Sequence, residues 1–296
     1  MTRLFVLGNA GVDFGLPVPR MPRRGETLVA GRRTIAPGGK GLNQAVMAQR
    51  TGLVPVHFLA ALGRDAEADL VETALQPEGF ATLGLPRMDA PTDCSVLLSL
   101  PDGENCIVTA GACAAMMTMT LAAPVLDCMR RGDWLLLQGN LEFETTAAAV
   151  AAARATGAQV MLNPAPLQWD AAALLPSCAV VVANAGEAEA ITGRTREAAA
   201  AALHRAGPHL AVVTLGAAGC AVAQADGLRS LPATPAGVVD STGAGDAFCG
   251  TLAACLAAGM PTASALARAQ RAAAHTVAQP GAFAALPSAA DLRRLA

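Results

Sequence analysis

Six short runs of this chain are apolar almost without interruption: LFVLGN at 4–9, HFLAAL at 57–62, WLLLQGN at 134–140, QVMLNPAP at 159–166, AVVVANAGE at 179–187 and LAVVTLG at 210–216. A strand with one wet face alternates apolar and polar residues, whereas a strand that does not alternate is covered on both faces, as in a parallel sheet clad by helices. Helix-forming segments fall between the runs, at 65–76, 118–131, 144–156, 196–206 and 262–278, with Thr145 and Thr262 as expected caps. The alternation predicts an α/β fold, a three-layer α/β/α domain around a mainly parallel central sheet.

Two segments leave this rhythm. Residues 11–37 are rich in Gly, Pro and Arg around a strand-like TLVAGRRTI at 27–35, and TDCSVLLSLPDGENCIVTA at 92–110 reads as a hairpin turning at Pro101, Asp102 and Gly103. They predict a small β-sheet lid made of 11–37 and 92–116, inserted into a main domain made of 1–10, 38–91 and 117–296.

Charge narrows the partners. With 21 Lys and Arg against 23 Asp and Glu the net charge is −2, and no basic cluster offers nucleic acid or an anionic membrane the dense positive field they need. Uncharged stretches at 105–126, 207–225 and 247–267 have the length of a spanning helix, but Gly111 and Pro124 interrupt the first, Pro208 and three glycines the second, and Gly259 and Pro261 the third. The N-terminal apolar run is too short for a signal segment, so a cytoplasmic protein is expected, acting on a small molecule. Eight cysteines lie among Ala, Val and Leu with no C-x-x-C pair, and read as small core hydrophobes.

Two glycine-rich turns carry the chemistry. In VVDSTGAGDAF at 238–248 an apolar strand end meets a Thr242-Gly243-Ala244-Gly245 turn that opens a helix at about Ala244. Converging backbone amides and about half a positive charge at the helix N-terminus favour an anion such as a phosphoryl group. Asp246 in the first helical turn either caps the helix or accepts a proton from a reacting hydroxyl. In APGGKGLNQA at 36–45, Gly38, Gly39 and Gly41 surround Lys40, the only lysine in the chain, and Asn43 follows at the start of a helix. An ammonium and an amide held close to bare backbone suit a polyhydroxylated ligand, and the same lysine also reads as a solvated side chain. Neither turn fits the G-x-x-x-x-G-K-[ST] phosphate loop, and no G-x-G-x-x-G follows the first strand.

In this order and about 200 residues apart, PGGKGLNQA at 37–45 and DSTGAGDAF at 240–248 resemble the two signatures of the ribokinase-like (PfkB) family of carbohydrate and nucleoside kinases, nearest to its ribokinase branch. The similarity continues through GNAGVDFG at 8–15, PRRGET at 22–27, DGENCIVTAGACAAM at 102–116, LNPAP at 162–166, NAGEAE at 184–189 and TLGAAG at 214–219. The resemblance implies ATP-dependent phosphorylation of a primary hydroxyl on a ribose-like sugar, with Asp246 as catalytic base and Gly243, Ala244 and Gly245 as the anion hole. It implies sugar contacts from Asp13, Gly39, Lys40, Asn43 and Asn140. It assigns nucleotide, phosphate and Mg²⁺-water contacts to Asn184, Glu187, Thr214, Gly216, Gly219 and Gly245, with residues 269–283 along the adenine.

A potassium site is implied at Asp240, Thr242, Thr276, Gln279, Gly281 and Ala285, largely through backbone carbonyls, with Ala285 aligned to a serine of the family. Two sugar-site positions depart from the pattern. Gly11 stands where the family has an asparagine, and Asn140 stands in register with a glutamate, for which Glu142 substitutes only if the loop shifts by two. A nucleoside kinase, and a non-catalytic sugar sensor on the same fold, are the alternative readings. The chain has no Tyr to line a base pocket, and the sensor is expected to lack the base or anion hole present here. Pairing of two lids into a homodimer is expected, since it would cover the apolar strands at 93–100 and 104–110.

Overall fold

A computed structural model describes residues 1–101 and 105–295. A nine-stranded sheet is built from β1 (Leu4–Leu7), β4 (Val56–Leu59), β5 (Thr82–Gly84), β8 (Trp134–Gln138), β9 (Gln159–Asn163), β10 (Val180–Asn184), β11 (Leu210–Thr214), β12 (Cys220–Gln224) and β13 (Gly227–Leu231). Its order is β13-β12-β11-β10-β9-β8-β1-β4-β5. A four-stranded sheet, ordered β3-β2-β6-β7, holds β2 (Gly11–Pro17), β3 (Thr34–Gly38), β6 (Asp93–Ser99) and β7 (Asn105–Ala110). The large sheet is parallel except at one edge, where β12 and β13 run antiparallel.

Helices cover both faces of the large sheet, which explains the unbroken apolar strands. Leu4 and Val6 of β1 pack into one cluster with residues of α1 (Lys40–Arg50), α2 (Ala66–Leu75), α8 (Ala244–Ala257) and α9 (Thr262–Val277). Phe5 and Leu7 point the other way, into a cluster that includes residues of α4 (Met119–Leu126) and α5 (Phe143–Thr156). A third cluster joins α6 (Ala185–Thr192) and α7 (Arg196–Arg205) to β10 and β11. The short helices α3 (Ala112–Met116) and α10 (Ala289–Arg294) complete the set. Among the described residues no helix is long and apolar enough to cross a membrane, and all eight cysteines are unpaired.

Several local expectations change. Thr145 is not a cap: α5 begins after Glu142, and the Thr145 hydroxyl donates to the Met117 carbonyl at 2.9 Å. Thr262 is the first residue of α9, preceded by Pro261, whose fixed φ suits a helix entry. Of the TLVAGRRTI run only Thr34 and Ile35 lie in a strand, paired to β2. The hairpin of β6 and β7 forms, while Asp102 and Gly103 of its expected turn lie outside the described residues.

The crossing of α1 over α8 positions the site. Gly250 sits mid-helix, where glycine costs about 1 kcal/mol relative to alanine. Here a Cβ would overlap the Gln44 carbonyl and the Met47 side chain, so the helices meet this closely only because nothing is there. Gly250→Val is therefore expected to destabilise the chain by about 1–3 kcal/mol despite the gain in helix propensity. Urea unfolding checks this, and a variant as stable as the parent would contradict the close crossing.

Candidate active site

Polar side chains collect where the parallel strands end, the place where open α/β sheets leave a crevice. Asn9 follows β1, Gln138 ends β8, Asn163 ends β9, Asn184 ends β10 and Thr214 ends β11 beside Asn184. Facing them is the start of α8, whose N-cap Gly243 has a φ of 79°. Asp246 lies in the first turn of that helix and is 7% exposed.

A buried carboxylate needs donors, and α1 supplies them. Gln44 Nε2 donates to Asp246 Oδ1 at 2.9 Å and to Asn163 Oδ1 at 3.0 Å, while Gln44 Oε1 accepts from Gln138 Nε2 at 2.9 Å. Asn163 Nδ2 donates in turn to the Val182 carbonyl at 2.9 Å. Every polar atom of Gln44 is engaged, so its amide has one orientation and holds one oxygen of Asp246 in place. On the same helix face, Asn43 Nδ2 stands 3.4 Å from Asp246 Oδ2 and Lys40 Nζ 4.0 Å from Oδ1. The helix start is itself pinned by Asn9, whose side-chain oxygen accepts from the Gly41 amide and whose carbonyl accepts from the Leu42 amide.

Charge concentrates here. Asp246 first, with help from Glu187 and Asp13 and against the cost of burial, raises the pKa of Lys40. Asp13, on β2 of the small sheet, is pushed up to about 7 by burial and then by the Asp246 charge, against a hydrogen bond from Ser95 and the attraction of Lys40. Glu187 is raised by burial, opposed by its Asn184 hydrogen bond and by Lys40. Three carboxylates from three parts of the chain thus share one ammonium. Three buried amide oxygens, Asn43 Oδ1, Gln138 Oε1 and Asn140 Oδ1, have no donor among the described residues. Buried acceptors are normally satisfied, so this region suits something that brings hydroxyls.

The other expected residues fall into two groups. Asn184 and Glu187 form the capping box of α6: the Glu187 amide donates to Asn184 Oδ1, and the Asn184 amide and side chain both donate to Glu187. Thr214 leads into the turn at Gly216–Ala218, closed by Gly219. On the far side of the α8 start, Asp240 accepts from the Thr242 amide and hydroxyl at 2.9 and 2.6 Å and from the Gly281 amide at 2.9 Å. Gln279 bonds the Thr276 carbonyl through its backbone amide, the Thr276 hydroxyl is spent on its own helix, and Ala285 is buried in the following turn. Asn140 has no bond to the Asp246 cluster, and Glu142 is exposed. Gly11 is walled in, because a Cβ there would overlap the Asp93 carbonyl, so the family's asparagine has no room without movement of β6.

Gln44, Gln138, Asn163 and Asn9 were not legible as site residues. For Gln138 the only signal was a polar residue ending an apolar run, as in WLLLQ, while Gln44, Asn163 and Asn9 stood inside PGGKGLNQA, LNPAP and GNAGVDFG with no role of their own assigned.

The pfkB family carbohydrate kinase model matches residues 1–289. The ribokinase of Haemophilus influenzae is 30% identical over 292 residues, covering 96% of this chain and 95% of that protein. The ribokinase structure from Thermotoga maritima superposes with a TM-score of 0.89 at 27% identity, covering 100% of this chain and 99% of the other. That of Arabidopsis thaliana ribokinase complexed with ribose and ATP gives 0.84 at 28%, with the same coverage.

The Asp13 charge has a measurable sign. Its folded pKa of about 7 lies above the ordinary 3.8, so the folded chain binds the extra proton and loses stability as pH rises toward 7. Asp13→Asn is expected to melt at least ~3 °C above the parent at pH 8, with the gain shrinking as pH falls to 5. Thermal scans across that range decide it, and a pH-independent gain would remove the charge as the cause.

Proposed function

The chain belongs to the pfkB family of carbohydrate kinases and is an ATP-dependent sugar kinase, and we propose that it transfers the γ-phosphate of ATP to the primary hydroxyl of a ribose-like sugar. The carrying observation is Asp246: a buried carboxylate fixed by Gln44 at the start of α8, facing Lys40, Asn43 and Asp13. In this reading Asp246 takes the proton as the sugar hydroxyl attacks. The amides of Gly243, Ala244 and Gly245 stabilise charge on the moving phosphoryl group, so catalysis is positioning plus electrostatics. Asp13, Gly39, Lys40, Asn43 and Asn140 bind the sugar, whose hydroxyls supply the donors that the orphaned Asn43 and Asn140 oxygens lack. Asn184, Glu187, Thr214, Gly216 and Gly219 receive the nucleotide.

The donor chemistry fits two hard cations. Glu187, held by Asn184, presents carboxylate oxygen suited to the water shell of Mg²⁺, which supplies neutralisation of the β- and γ-phosphates. Asp240, with the hydroxyl of Thr242 and backbone carbonyls of the 276–285 segment, offers an oxygen-only set for K⁺. Unpaired thiols suit a reducing cytoplasm.

We further propose a homodimer through the small sheet, the lid of the site. Its face away from the site exposes Val108 at 69% on the edge strand β7, Val96 at 37% on β6 and Ile35 at 43% on β3. Light scattering is expected to give twice the chain mass, and Val108→Glu to give a monomer; a monomeric parent at assay concentration contradicts the dimer.

A coupled ADP assay over a panel of pentoses, hexoses and nucleosides, with and without Mg²⁺ and K⁺, tests the activity. Sugar-dependent ADP release is expected, with Asp246→Asn lowering kcat by about 10²–10⁴-fold and leaving sugar binding largely intact. Full activity in that variant would end the role given to Asp246, and preference for a nucleoside would replace the sugar reading.

A further inference from the structure

The small sheet touches the main domain at both of its ends. At its base, the Thr92 amide and hydroxyl donate to Asp65 of the main domain at 2.7 and 2.6 Å. Strand pairing then carries the hairpin outward from Cys94 opposite Ala110 to Ser99 opposite Asn105, about 17 Å at strand rise. At that far end Asn105 Nδ2 donates to Thr242 Oγ1 at 2.9 Å, across 137 residues of sequence. Alternation puts Asn105 and Thr109 on one face of the sheet. Thr109 bonds Ser95, and Ser95 bonds Asp13, so this face turns toward the sugar site.

The bond continues inward. Thr242 Oγ1, accepting from Asn105, donates to Asp240 Oδ1 at 2.6 Å, the same oxygen accepts the Thr242 amide, and the other Asp240 oxygen accepts the Gly281 amide. Thr242 immediately precedes Gly243, the N-cap of α8. A single chain of hydrogen bonds therefore joins the tip of the lid to the turn that opens α8.

We propose that Asn105 is a positioning residue, a latch by which the closed lid orders the 240–245 turn for phosphoryl transfer. The turn is held most firmly when the lid lies over the sugar, so transfer is tied to an occupied, covered site. The amide donates and Thr242 relays; the effect on kcat rests on the kinase reading, the effect on the turn does not.

The test has an arm for each. In the ligand-free full chain, NMR-detected hydrogen exchange of the Thr242 and Gly281 amides is expected to speed up about tenfold in Asn105→Ala, the equivalent of one hydrogen bond. Asn105→Asp, which keeps the shape but removes the donor and faces Asp240 with a charge, is expected to loosen them at least as much. In the ADP assay, both variants are expected to lower kcat about tenfold while the KM for the best sugar of the panel moves less than threefold. Unchanged exchange in both variants, or parent-like exchange in Asn105→Asp alone, overturns the latch. A raised sugar KM at full kcat also overturns it, making Asn105 a sugar contact. If no sugar is phosphorylated, the kinase reading falls and the exchange arm still decides the latch.

Discussion

Burying the carboxylate of Asp246 is the demand that organises this molecule. An ionised group taken out of water must be given donors and positive potential at fixed positions, or it will not stay charged. Here the potential comes from the start of α8 and the ammonium of Lys40, and the donors from Gln44 and Asn43. Gln44 can serve only because Gln138 and Asn163 fix its amide from the ends of β8 and β9. The place where α1 crosses α8, the missing side chain at Gly250 and the polar ends of two strands are one solution to one electrostatic problem.

The same balance explains why the rest of the site is tense. Asp13, Glu187 and Asp246 bring three carboxyl groups around Lys40, and the pKa values of Asp13 and Glu187 are raised, by burial first and then by the Asp246 charge. A site of this sign is poor at receiving a polyphosphate unaided. In the proposed reading, the converging amides at the α8 N-terminus and a cation held at Glu187 would make a nucleotide acceptable there. The only lysine of the chain is thus placed where its removal would leave three carboxylates facing each other.

How much of this could be read in the chain depended on whether a signal was local. The six core strands were legible because burial on both faces leaves an apolar run, and the two glycine turns because a tight turn into a helix needs those residues in sequence. β12 and β13 were missed: GCAVAQ lay inside a stretch read only as uncharged and buried, and GLRSL, four-fifths exposed in pattern, carries no core signature. The threonine caps failed because the chain used Glu142 and Pro261 at those helix starts. Gln138 and Asn163 lie 94 and 119 residues from Gln44, and nothing in any one neighbourhood marks the three as a set.

The proposed role of Asp246 carries a further requirement, since a base that would activate a sugar hydroxyl beside a phosphoanhydride would activate water equally well. Covering the site addresses this only if closure and competence coincide. A lid hinged at one end would cover the sugar yet tell the anion-binding turn nothing. The hairpin here is anchored at its base through Thr92 to Asp65 and at its tip through Asn105 to Thr242, with Asp13 between them on the same sheet. In the proposed closed state Asp13 of β2 stands at the middle of the sheet and Asn105 of β7 touches the α8 turn at its end, so the arrangement that would exclude water is also the one that would complete the site.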